Sequence, residues 1–278
     1  MKLWVGTAGY AYPAWVGDFY PPGTSSTDML SYYARQFSAV EINSTFYRPP
    51  TIEQVEKMCR KVPAGFGFTL KVPRSASHEN SPDELPAFHR AAEQFAARDC
   101  LLSLIVQIPE AFRNSAVNRA WLVHIREQLR PFPLAVEFRH RSWDVDALPK
   151  WAAKHGFDVV SVGVPDIPTL FPNGLRAEGP RVYARLHSEN ADAWYSGGTA
   201  RYAYDYPDAT LTEWASGLTA AAAAGRERAL VFFNNCVGIQ ATTNAKRLID
   251  LLRETAPAIE IVPPPQPVEP KGLFDDVE

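Results

Sequence analysis

Glu137 and Arg139 stand two residues apart in LAVEFRH (134–140), interleaved with the apolar Val136 and Phe138. The same alternation recurs along the chain. AVEINSTF (39–46) carries Glu41 and Asn43, GFTLKVP (67–73) carries Thr69 and Lys71, LSLIVQIP (102–109) carries Gln107, and RVYARLHS (181–188) carries Arg185 and His187. RALVFFNN (228–235) ends in Asn234 and Asn235, of which one must share the polar face. Residues two apart on a strand point the same way, so each run offers one apolar and one polar face near its C-terminal end. Lys71, Arg139 and Arg185, with His187 when protonated, are the makings of an anion site, because guanidinium forks and an ammonium suit phosphate or carboxylate. Glu41 and Glu137 add acid and base groups whose pKa values cationic neighbours would pull apart.

Several chemistries fit this set. If the runs surround one lumen with a radius of roughly 7–8 Å, the two glutamates come within about 5–9 Å of each other, a range that includes both glycosidase geometries without selecting either. Glu41, Glu137 and His187 could ligate a divalent ion, but the chain has no HxH or HExxH spacing and the set is rich in cations, so neither a metal nor another cofactor is expected. The absence of a G-x-S-x-G elbow argues against a serine hydrolase. Two segments are aromatic: GYAYPAWVGDFYPPG holds Tyr10, Tyr12, Trp15, Phe19 and Tyr20, and HSENADAWYSGGTARYAYDYP holds Trp194, Tyr195, Tyr202, Tyr204 and Tyr206. Such rings stack on sugars or bases, or pack as a lid, and both readings stay open.

The elements that must position these groups follow from periodicity. Eight β-rich runs occur: 3–10, 39–46, 67–73, 102–109, 134–140, 158–165, 181–188 and 228–235. Helical patterns lie between them. TDMLSYYARQF, TIEQVEKMCRKV with Thr51 as cap, VNRAWLVHIREQL, LPKWAAKHG, DATLTEWASGLTAAAAAG and TTNAKRLIDLLRE each carry an apolar stripe. The segment after the sixth run, DIPTLFPNG, is too short and proline-rich for a full helix. This order and length predict an α/β fold, a single (β/α)8 TIM barrel over residues 1–261, whose C-terminal strand ends form the site. The runner-up is an open doubly wound sheet, which would carry a glycine-rich first turn that GTAGYAYPAW lacks. Residues 262–278 are rich in proline, then acidic, and are expected to be an extended or disordered tail. Its GLFDD resembles the Leu-Phe end of peptides that dock on bacterial sliding clamps, a weak sign of a partner.

The formal net charge of -3 does not suit a protein that coats nucleic acid or an acidic membrane. The three cysteines, Cys59, Cys100 and Cys236, are far apart in sequence and form no CxxC, so they indicate neither a zinc knuckle nor a disulfide framework and read as reduced thiols. With no signal-peptide pattern and no apolar run long enough to span a bilayer, a soluble, cytoplasmic protein without a membrane partner is expected.

VGTAGYAYPAWVGDFYP, YYARQFSAVEINSTFYRPP, FTLKVPRSASHE, LAVEFRHRSW, VYARLHS, YAYDYPDATLTEWA and VFFNNCVGIQATTNA resemble, in order, the signature blocks of the YecE-like family (DUF72). The resemblance spans residues 5–245 and implies a TIM barrel of unknown function, with nucleic acid as one suggested ligand by analogy to endonuclease IV-type barrels. It adds Tyr47, His78, Trp143 and Asn235 to the candidate site and coincides with Glu41, Asn43, Lys71, Glu137, Arg139, Arg185 and His187. The chain departs from the family pattern at RLHS, where members often read RLHG, and at GTAGY in the first block. Three functions therefore compete. The first is an enzyme, a hydrolase or lyase, acting on a small phosphorylated or carboxylated sugar-like substrate, with Glu41, Lys71, Glu137 and His187 catalytic and Asn43, Tyr47, His78, Gln107, Arg139, Trp143, Arg185 and Asn235 binding. The second is a nucleic-acid binder or nuclease, which the net charge disfavours. The third is a non-catalytic ligand-binding module. Oligomeric state does not follow from the sequence.

Overall fold

The computed structural model describes residues 1–266. Eight strands pair in parallel and close on themselves: β1 (Lys2–Ala8), β2 (Ala39–Ile42), β3 (Gly67–Lys71), β4 (Leu101–Gln107), β5 (Leu134–Glu137), β6 (Phe157–Gly163), β7 (Arg181–Leu186) and β8 (Arg228–Phe233). Each pairs with its sequence neighbour, and β8 pairs with β1, so the sheet is the barrel of a (β/α)8 fold. The helices around it are α1 (Met29–Tyr33), α2 (Ile52–Arg60), α3 (Arg74–His78), α4 (Leu85–Ala96), α5 (Ala116–Gln128), α6 (Leu148–His155), α7 (Ala191–Trp194), α8 (Asp208–Ala223) and α9 (Gln240–Thr255). A two-residue strand, β9 (Glu260–Ile261), lies beside the start of β1, and Val262 N donates on to Leu3 O at 2.9 Å. The chain thus stays paired to the barrel through residue 262. The remainder of the expected tail, from residue 267, lies outside the described residues, as does GLFDD.

Register carries the alternation of side chains around the barrel. Ala8 is opposite Glu41, Glu41 opposite Thr69, Gln107 opposite Glu137, and Arg185 opposite both Val162 and Phe232. Paired residues of parallel strands point to the same side, so these belong to one inward set. The opposite parity, including Val40, Phe68, Leu104, Val136, Val182 and Val231, is fully buried against the helices. Two glycines mark tight places. A Cβ on Gly6 would come within 2.0 Å of Ala39 O where β1 meets β2, and one on Gly67 would strike Leu102 Cδ1 at 2.2 Å, beside the register shift between β3 and β4. The short β1–β2 ladder is stitched by Tyr33 from α1. Its hydroxyl accepts from Thr7 N at 2.8 Å and donates to Ala39 O at 3.1 Å.

Local signals account for the helix ends. Thr51 and Gln54 form a reciprocal capping box at the start of α2. Gly156 closes α6 in the left-handed conformation, φ 75°, which glycine adopts without cost. The periodicity had not singled out α4, although Leu85, Phe88, Ala92 and Phe95 form its buried stripe and Pro86 occupies its first turn. After β6 the chain forms a loop, tied back by bridges from Leu170 to His140 and from Gly174 to Val162, in place of a helix. Among the described residues no helix is long and apolar enough to cross a membrane.

Candidate functional site

Three strands deliver the centre of the site. Arg185, from the end of β7, is 1 % exposed and lies between two carboxylates that are fully buried. Its Nη2 donates to Glu41 Oε1 at 2.6 Å, and its Nη1 donates to Glu137 Oε2. Glu41 is also held by Tyr183, two residues before Arg185 on the same face, whose hydroxyl is 2.8 Å from Glu41 Oε2 and 3.2 Å from Thr69 Oγ1. The other Glu137 oxygen, Oε1, lies 2.7 Å from Arg139 Nε and 3.2 Å from His187 Nε2. Asn234 Nδ2 is 2.8 Å from His187 Nδ1, and an amide donor there leaves the ring proton on Nε2, facing Glu137.

Electrostatics follow from this packing. Burial works to neutralise Glu137, but the positive charges of Arg185 and Arg139 outweigh it and hold the carboxyl well below its ordinary range. Burial likewise opposes the charge on Arg185, and Glu137 and Glu41 reverse the effect and raise its pKa. For His187 burial wins: its pKa falls to about 3, so the ring is neutral at pH 7. The cluster is therefore an ion-pair network with a neutral imidazole at its edge, in which Glu137 Oε1, Arg139 Nε and His187 Nε2 lie close together without forming aligned hydrogen bonds.

Lys71, at the end of β3, is placed differently. Its Nζ donates to Gln107 Oε1 at 2.9 Å and sits 4.2 Å from the centre of the Phe46 ring. No carboxylate among the described residues lies within 4.0 Å of it. Burial, and secondarily the charge on Arg185, lower its pKa from 10.5 to about 7. It opens onto a cavity of about 550 Å³ at the C-terminal mouth, whose wall also contains Arg185, Asn43, Asn234, Tyr12 and Tyr202. Asn43 Oδ1 and Arg185 Nε are buried without a hydrogen-bond partner among the described residues.

The structure thus brings Glu41, Lys71, Gln107, Glu137, Arg139, Arg185 and His187 into one connected set, with Asn43 beside it in the cavity wall. Tyr47 lies on the rim, 76 % exposed. His78 packs edge-on against Phe46 at 5.0 Å, and burial, with the nearby charge of Lys71, lowers its pKa to about 4. Two candidates are not brought to the lumen. Trp143 is buried on the helical side, stacked on Phe138, with Nε1 donating to Phe112 O at 2.7 Å. Asn235 points outward by strand parity, and its amide donates to Tyr204 O and Asn244 Oδ1, so Asn234 is the inward residue of the pair. Of the three expected cations, Arg139 and Arg185 face carboxylates and Lys71 does not. Tyr183, Phe46 and Cys236, which contribute to the cluster or to the cavity wall, had not been singled out for it. Tyr183 was within reach of sequence reasoning, since it shares the face of Arg185, whereas Phe46 and Cys236 enter from loops that alternation does not orient.

A closed parallel barrel with flanking helices defines a (β/α)8 protein, and its ionisable side chains gather at the C-terminal mouth, where such barrels carry their sites. The chain belongs to the family described as protein of unknown function DUF72, which it matches over residues 4–270. It is 27% identical over 257 residues to the UPF0759 protein YunF of Bacillus subtilis, covering 84% of this chain and 89% of that one. A DUF72 family protein from Thermotoga maritima superposes with a TM-score of 0.83 at 32% identity, covering 91% of this chain and 100% of the other. A second DUF72 family structure, from Enterococcus faecalis, gives a TM-score of 0.80 at 23% identity over 90% of this chain and 95% of that one, a likeness of fold.

Proposed function

We propose that the protein is an enzyme acting on a small anionic, sugar-like substrate in the cavity at the barrel mouth. The observation that carries this reading is Lys71, a half-buried amine on a cavity wall with no carboxylate among the described residues within 4.0 Å of it. When Lys71 is protonated, the connected cluster holds three cations, Lys71, Arg139 and Arg185, against the two carboxylates of Glu41 and Glu137. The site is then short of one negative charge, and a substrate phosphate or carboxylate supplies it. Lys71 is both the group that meets the anion and, with a pKa near neutrality, an acid able to pass its proton to a developing oxyanion. Glu41 and Glu137 are positioning residues that hold Arg185 in the cavity wall. Tyr12, Tyr47 and Tyr202 offer ring faces to a sugar, and the unpartnered Asn43 Oδ1 offers an acceptor to a hydroxyl.

The test is a thermal-shift screen of phosphorylated and carboxylated sugars, with mass spectrometry to detect conversion. The expected result is a stabilising ligand that is converted by the wild type and neither bound nor converted by Lys71→Met. A ligand that binds Lys71→Met as tightly as the wild type would overturn the role of Lys71. Stabilisation without any conversion would make the protein a binding module, and salt-sensitive binding of single-stranded nucleic acid instead of sugars would replace the substrate class.

A further inference from the structure

Cys59 and Cys100 are 41 residues apart in sequence, yet their Sγ atoms lie 3.5 Å apart. Cys59 is in the last turn of α2, and Cys100 immediately precedes β4, so the pair sits at the N-terminal end of the barrel, away from the mouth. Both are free thiols. They share the wall of a second cavity, about 420 Å³, with Arg60, Arg98, Ala64 and Gly65. Cys59 is half-buried and accessible from this cavity, whereas Cys100 is buried and its Sγ also donates to Phe95 O at 3.2 Å.

We propose that this pair is a dithiol site that reduces hydrogen peroxide or a small organic hydroperoxide, with Cys59 as the attacking thiol and Cys100 as the resolving one. The proposal is independent of the chemistry assigned to the barrel mouth. The Cys59 thiolate attacks the terminal peroxide oxygen, the O–O bond breaks, and water or an alcohol leaves after taking up a proton. Cys59 is left as a sulfenic acid. Cys100 sulfur then attacks the Cys59 sulfur, the S–OH bond breaks, and a second water leaves with the Cys100 proton. Two thiols have been oxidised to one disulfide and one peroxide has been reduced. The sulfurs need to close from 3.5 Å to about 2 Å, a movement within reach of side-chain rotation at the end of a helix and in a loop. The order of attack agrees with the surroundings. Once Cys59 ionises, the single Cys100 S–H can turn from Phe95 O to the Cys59 sulfur; that hydrogen bond and the charge of Arg98 favour the thiolate of Cys59, while the contact with Cys59 and burial disfavour that of Cys100.

Cys236 provides an internal control. It lies in the wall of the mouth cavity, and burial pushes its thiol up to about 12. The experiment treats the reduced full chain with one equivalent of hydrogen peroxide, followed by intact mass and peptide mapping. The expected products are a chain lighter by two hydrogens, a Cys59–Cys100 cross-linked peptide, and a Cys236 that still alkylates, with Cys59 consumed about tenfold or more faster than Cys236. Cys100→Ser should accumulate a dimedone-reactive sulfenic acid on Cys59, and Cys59→Ser should react no faster than Cys236 does in the wild type. Loss of thiols without that cross-link, or oxidation of Cys236 at the rate of Cys59, would overturn the proposal.

Discussion

Two sets of side chains in one lumen use charge in opposite ways. From β2, β5 and β7, Glu41, Glu137 and Arg185 pair with one another, and Tyr183 occupies a further carboxylate oxygen. From β3 and β4, among the described residues, Lys71 meets the amide oxygen of Gln107 and the face of Phe46 and no carboxylate. The first arrangement resists change, because removing any member leaves a buried charge uncompensated. The second leaves a cation that a ligand can complete. A polar barrel mouth is therefore not uniform: both Arg185 and Lys71 border the cavity, but Arg185 is neutralised by carboxylates and Lys71 is not.

The largest effect should come from breaking the paired set. Arg185→Met leaves Glu41 and Glu137 buried without their shared cation, and should cost about 3–5 kcal/mol in urea unfolding. Breaking the other set should act in the opposite direction. The folded protein lowers the pKa of Lys71 from 10.5 to about 7, so the unfolded chain binds more protons between those values, and the cost of burying the ammonium is fully present below pH 7. Lys71→Met should therefore stabilise the ligand-free protein at pH 7 by on the order of 3 kcal/mol, with the gain fading as pH rises to 10.5, while it removes ligand binding.

These two outcomes also mark how far the sequence could be read. The alternation in AVEINSTF, LAVEFRH and RVYARLHS was enough to place Glu41, Glu137 and Arg185 in one lumen, because a period of two together with an apolar outer face leaves little freedom. It could not say which groups pair, since that depends on side-chain reach across the barrel, as when Arg185 spans to strands on both sides. Nor could it choose between Asn234 and Asn235, because the last ladder residue, Phe233, lies one step before the ambiguity. Trp143 entered through the family resemblance, and the structure gives it a packing role against Phe138 and Phe112 O. The Cys59–Cys100 approach joins α2 to β4, a tertiary juxtaposition that no local pattern encodes.

Smaller perturbations sharpen the contrast. His187 stays neutral in the fold, with a pKa lowered from 6.5 to about 3, so the unfolded chain gains a proton as pH falls below 6.5 and the folded one does not. Stability should fall by up to ~1.4 kcal/mol per pH unit on acidification between about pH 6.5 and 5, above the range where Glu137 begins to contribute in the same direction. His187→Gln should flatten that slope in a pH series of denaturation curves, and an unchanged slope would assign it to another group. Tyr183→Phe removes only the hydroxyl contacts with Glu41 and Thr69, and should cost about 1–2 kcal/mol without altering the protonation of Lys71.

Lys71 is a half-buried amine with no carboxylate among the described residues within 4.0 Å, and its surroundings lower its pKa to about 7. Its protonation can be followed directly by NMR of side-chain carbons in protein labelled at lysine, with the Lys71 Cε resonance assigned by its loss in Lys71→Met. A titration midpoint near pH 7, moving upward when a phosphorylated or carboxylated sugar binds, is the predicted result. A midpoint above 10, as for a solvated lysine, would contradict it.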